Sequence, residues 1–89
     1  MNSYDYGRAL GFHNKALEII AKIYGEYHPL MATSYANIGR IYYILGEKDK
    51  ALEYFTKTLA ILEKVDGEDH PDTIAVKEKI NELLSLNEE

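Results

Sequence analysis

GEYHP, residues 25–29, returns as GEDHP at residues 67–71, with only the middle residue changed and an offset of 42 between Gly25 and Gly67. Pro29 and Pro71 are the only prolines in the chain. Proline suits the first position of a helix, where its missing N–H would have no partner anyway, and glycine suits the residue just past a helix end. The pentapeptide therefore reads as a joint, with one helix stopping at the glycine and the next starting at the proline.

Outward from the joints, the chain is rich in Ala, Leu, Ile, Glu and Lys, which favour helix. Before Gly25, Leu10, His13, Leu17, Ile20 and Tyr24 recur at helical spacing, with Ala9, Ala16 and Ile23 widening the stripe. After Pro29 the rhythm continues through Met31, Tyr35, Ile38, Tyr42 and Leu45 as far as Gly46. A third run, Ala51, Leu52, Phe55, Leu59, Leu62 and Val65, closes at Gly67, and Ile74, Ile80, Leu83 and Leu84 follow Pro71. The expectation is an all-α chain of four helices, about residues 5–24, 29–45, 48–66 and 71–86, with short connections.

Sliding the chain by the joint spacing lays Ala9 on Ala51, Leu10 on Leu52, Leu17 on Leu59, Ile19 on Ile61, Lys22 on Lys64 and Ile38 on Ile80. The first helix thus matches the third, and the second matches the fourth. The chain reads as a single domain of about two staggered copies: a half-unit over 4–28, a full unit over 29–70 and a half-unit over 71–87.

Composition narrows the function. With 89 residues the core leaves little surplus over conformational entropy, and the absence of cysteine removes disulfides and thiolate metal sites as a remedy. Acidic residues outnumber basic ones 15 to 10, which disfavours nucleic acid and anionic membranes as partners. The opening MNSYDYGRAL lacks the basic start and apolar run of a secretory signal, and no apolar run approaches the roughly 20 residues of a membrane span. A soluble, cytoplasmic protein is expected.

Tyr35, Ile38, Gly39, Tyr42 and Gly46 together resemble the first-helix pattern of the tetratricopeptide repeat, in the long form found in kinesin light chains. Ala51, Phe55 and Leu59 resemble its second-helix pattern. The physical reasons are visible beside the resemblance: Gly39 and Ala51 are small where paired helices would cross closely, while Tyr35, Tyr42 and Phe55 are large where a gap must be filled. The resemblance implies an α-solenoid of antiparallel helix pairs that binds a protein or peptide in a groove lined by first-type helices. The family's groove positions fall on Thr33, Ala36, Asn37, Arg40 and Tyr43 of the second helix and on Ala75, Glu78, Lys79 and Glu82 of the fourth. An asparagine pair clamps peptide backbone in kinesin-light-chain-like repeats; here Asn37 keeps its second member and Ala36 replaces the first.

Departures from the pattern are informative too. Thr58 replaces an alanine of the family, His13 stands where the next copy has Phe55, and Lys77 and Asn81 stand where the previous copy has Tyr35 and Gly39. The fourth helix is therefore expected to act as a solvated cap.

No residues assemble an acid and a base, a nucleophile elbow or a phosphate loop, so no enzyme, cofactor or metal is expected. His28 and His70 lie a whole unit apart with no second His or Cys at ligand spacing, and they read as caps for the helix starts that follow them. The partner expected is a protein or peptide. Because the chain starts on a second-type helix and ends on a first-type one, a homodimer is also expected, through the bare face of helix 5–24 or by helix exchange through an opened Gly46–Asp49 turn. The alternative is a structural spacer, or an excised or engineered piece of a longer array, without a specific ligand.

Overall fold

Four α-helices follow one another along the chain: α1 (Ser3–Tyr24), α2 (Pro29–Ile44), α3 (Lys48–Val65) and α4 (Pro71–Asn87). This computed structural model describes residues 3–87, and the side chains of 5–85; Met1 and Asn2 of the opening stretch lie outside the described residues. The all-α architecture matches expectation, and the helix limits differ from those read in the sequence by no more than two residues.

The joints explain the limits. Gly25 and Gly67 both adopt φ 90°, a left-handed conformation that L side chains disfavour. There the Gly25 N–H donates to the Ala21 carbonyl and the Gly67 N–H to the Leu62 carbonyl, each at 3.0 Å, closing the orphan carbonyls of α1 and α3. The α2–α3 turn is closed within the chain, with the Glu47 N–H donating to the Tyr42 carbonyl at 2.9 Å. Lys48 and Asp49 already belong to α3.

Each helix packs on its neighbours in sequence, and α2 with α3 is the most extensive pair. A Cβ added to Gly39 would lie 3.2 Å from three atoms of the Phe55 ring, so the ring rests directly on the backbone of α2. Beside this contact, Ala51, Phe55 and Leu83 form one buried cluster; Met31, Ala32, Ile61 and Leu62 form a second, against which Leu17, Ile20 and Ala21 of α1 pack. Where α2 meets α3, Tyr54 of α3 lies between Tyr35 and Tyr42 of α2, with ring centroids 6.0 and 5.7 Å away. Lys57 covers Tyr35 and Tyr54 and Lys50 covers Tyr42, each ammonium within 5.5 Å of a ring centroid.

Several apolar residues expected on inner stripes are exposed instead: Ile23 and Tyr24 of α1, Leu45 after α2, Val65 of α3, and Ile74 and Leu84 of α4. Their spacing is helical, but no neighbouring helix covers them. His13 is half-buried. Thr58 is buried and satisfied, its hydroxyl donating to the Tyr54 carbonyl at 2.9 Å. Thr73 is also fully buried, but its hydroxyl has no hydrogen-bond partner. The α4 cap is therefore less polar outside, and less satisfied inside, than its sequence implies.

Two stability outcomes follow, both readable by urea denaturation followed by circular dichroism. Gly39→Leu forces the Phe55 ring off α2 and costs about 1–3 kcal/mol, whereas Gly7→Ala, whose Cβ would meet nothing within 4 Å, gains about 0.5–1 kcal/mol from helix propensity. Equal stability of Gly39→Leu and the parent chain would show that the close approach is not a constraint. Thr73→Val removes an unsatisfied buried hydroxyl and raises stability by about 1 kcal/mol; a loss instead would mean that the hydroxyl has a partner.

Candidate interaction groove

Short turns make α2 and α3 antiparallel, and likewise α3 and α4, so α2 and α4 run in the same direction with α3 behind them. α2 and α4 do not pack on each other. The space between them is an open groove made of two adjoining cavities of about 340 and 390 Å³. Ala36, Arg40, Ala75 and Val76 line both, Thr58 and Leu62 floor the first, and Phe55 floors the second. The small side chains of Ala36 and Ala75 leave the space between the two walls unfilled.

The structure gathers most of the expected groove residues. Thr33, Asn37 and Arg40 line the first cavity; Arg40, Tyr43 and Lys79 line the second. The Thr33 hydroxyl donates to the Pro29 carbonyl at 3.2 Å. Lys79 Nζ sits 5.2 Å from the Tyr43 ring centroid and 3.7 Å from a Glu82 carboxylate oxygen, so a cation from α4 bridges to an aromatic on α2. Glu82 reaches the groove only through Lys79. Glu78 is exposed and lines neither cavity.

Asn37 and Arg40 differ from these bridged groups. Asn37 is half-buried, and among the described residues neither its amide nor the Arg40 guanidinium makes a hydrogen bond or ion pair. Both present donors to the groove. Its ends also differ in charge: Asp66 and Asp72 stand at the end nearest Pro29, and Arg40 and Lys79 lie further along. The expected groove positions did not include Phe55 of α3 or Asp66 after it, nor Ile44, Asp72 and Val76 of the first-type helices themselves. The acidic pair was signalled only by its closeness to the GEDHP joint.

The tetratricopeptide repeat family model matches residues 5–64, most of the chain. This chain belongs to the tetratricopeptide repeat family. Among solved structures, the crystal structure of BtubC (BKLC) from P. vanneervenii superposes with a TM-score of 0.82 at 24% sequence identity, covering 93% of this chain and 33% of that one. The likeness is one of fold, and the chain spans about a third of the length of that relative. Comparison with curated proteins gives no match. Among the described residues no helix is long and apolar enough to cross a membrane.

At the joints of these repeats the histidines act on backbone. His28 Nδ1 accepts from the Leu30 N–H and His70 Nδ1 accepts from the Asp72 N–H, both at 3.1 Å, capping α2 and α4 in the same way. The Tyr24 ring stacks on His28 with centroids 4.3 Å apart. His70 has carboxylates beside it as well as backbone. The turn after α3 folds Asp66 back beside His70 and Asp72, so one ligand atom from each lies within 4.8 Å of the others. A search for histidine and cysteine spacing overlooks carboxylates that a tight turn brings together. His70 Nδ1 already accepts a backbone hydrogen bond, and Asp72 sits in the first turn of α4, where negative charge is favoured. Those two groups serve the start of α4, while Asp66 is the C-cap residue of α3.

Replacing either histidine by alanine leaves an N–H of the next helix without its acceptor. His28→Ala and His70→Ala are each expected to lower stability by about 1 kcal/mol, measured by thermal denaturation, with His70→Asn recovering most of the loss because asparagine caps equally well. Failure of asparagine to rescue would point to a role for the imidazole beyond the cap.

Proposed function

We propose that the chain is a protein–protein interaction scaffold, without chemistry of its own, that takes an extended peptide or a partner helix into the groove between α2 and α4. The family supports a scaffold in general. The observation that supports this groove is that Asn37 and Arg40 converge on one open cavity with unused hydrogen-bonding capacity. A side-chain amide both donates and accepts, so Asn37 suits the backbone of an extended peptide, and Arg40 suits a carboxylate. Thr33, Tyr43 and Lys79 complete the walls, while Glu78 and Glu82 act at the rim. The charge order favours a ligand with a basic group toward Asp66 and Asp72 and an acidic one toward Arg40. In this reading the chain is a half-unit, a full unit and a half-unit, working in the cytoplasm.

A second reading is a structural spacer. It is favoured by Lys79, which is occupied by Tyr43 and Glu82 and so leaves the α4 wall with less to offer than the α2 wall.

Peptide display separates the two readings. Selection on the parent chain, followed by titration of the enriched peptides, is expected to yield mixed-charge ligands, with an acidic group for Arg40 and a basic one for Asp66 and Asp72, whose affinity falls at least tenfold on the Asn37→Ala, Arg40→Ala double variant. Two hydrogen bonds to a ligand, one of them to a charged group, are worth more than about 1.4 kcal/mol together. Absence of enriched peptides, or binding indifferent to both residues with helicity unchanged, supports the spacer.

A further inference from the structure

The groove leaves the two ends of the helix stack unexplained, and both ends are apolar. On α1, Phe12, Ile19 and Ile23 follow one another at helical spacing and are 73%, 58% and 66% exposed. One unit later their counterparts are Tyr54, Ile61 and Val65, of which Tyr54 is half-buried and Ile61 is 3% exposed, because α2 covers that flank of α3. On α4, Ile74 and Leu84 are 43% and 46% exposed. One unit earlier they correspond to Ala32 and Tyr42, which face α3. The bare flank of α1 is thus the one that seeks a first-type helix, and the bare flank of α4 is the one that seeks a second-type helix.

We infer that copies of this chain associate head to tail, α4 of one copy packing on α1 of the next as α2 packs on α3 within each copy. Continuity with the internal interface is the first argument, since α4 followed by α1 keeps the helix order of the stack in phase. The second is that the residues breaking the repeat would meet one another. Within the chain, Phe55 presses on Gly39 at a distance that leaves no room for a Cβ to spare. Across the junction the corresponding residues are His13 and Asn81: a smaller ring opposite a larger residue, and a polar pair able to hydrogen-bond. Each is a poor substitute alone, and together they restore both volume and polarity.

The remaining positions are mostly compatible. Tyr54 between Tyr35 and Tyr42 becomes Phe12 between Lys77 and Leu84, a ring beside a cation and an aliphatic chain. Lys64, whose ammonium lies 4.4 Å from the Tyr27 ring centroid, becomes Lys22 opposite Asp69, an attractive pair. Lys15 approaches Lys77 unfavourably, and Glu63, already 3.7 Å from Lys77 Nζ, offsets it. Such an interface uses two different surfaces, so it does not close on itself at two copies.

Sedimentation equilibrium of the full chain tests this, with Ile19→Glu and Leu84→Glu as variants at exposed sites and circular dichroism confirming that both stay helical. The expected result is a weight-average mass that rises with concentration past that of a dimer. Each variant alone is expected to be monomeric, and an equimolar mixture to form a dimer and nothing larger, because one intact α1 flank then meets one intact α4 flank. A parent chain that stays monomeric at high concentration overturns the inference. So does a parent mass that levels off at the dimer with Leu84→Glu still dimeric, which would indicate α1 flanks meeting each other or exchanged helices.

Discussion

The contact on which the rest of the structure depends is that of the Phe55 ring with the backbone at Gly39. Only a residue without a side chain lets the ring come so close, and the approach fixes both the separation and the register of α2 and α3. Once that pair is set, the shared stripe of Met31, Ala32, Ile61 and Leu62 is buried on one flank and Ala51 is enclosed with Leu83 on the other. The neighbours α1 and α4 then have their own positions fixed by what this central pair leaves uncovered.

A single pair of helices so placed has distinct sides with distinct uses. Toward α4, small residues at Ala36 and Ala75 leave a groove whose polar groups are only partly engaged. Where α2 meets α3 the tyrosine stack is sheathed by lysines, which turn a large aromatic surface into one that water tolerates. The ends carry unsheathed apolar residues, and they are where any continuation of the stack would attach.

Much of this was legible from residue order alone, for a physical reason: joints are local. Glycine, histidine and proline in sequence dictate where backbone donors and acceptors are closed off, so the helix limits and the capping histidines could be read before any tertiary contact was known. The pairing of Gly39 with an aromatic and the groove positions Asn37 and Arg40 were legible through the family's pattern. Burial was less so. Ile23, Ile74 and Leu84 keep the spacing of core residues, and periodicity records which flank is apolar without recording whether a neighbour lies against it. Asp66 beside His70 and Lys79 across from Tyr43 escaped for a related reason, since each results from a turn or a gap crossed in three dimensions rather than from a motif.

Among the described residues the helix backbones pack closely only between neighbours in sequence, α4 reaching α2 through side chains such as Lys79, so the contacts that hold the molecule together are mostly between adjacent parts of the chain. Order in such a chain spreads from a centre outward, and the α2–α3 hairpin, with the shortest connection and the largest shared surface, is that centre. The outer helices are then the first to open when the chain is stressed and the last to close. The molecule is therefore graded from a firm middle to looser margins, and a unit built in this way can be lengthened or shortened at a Gly-x-x-His-Pro joint without disturbing what lies beyond the next one.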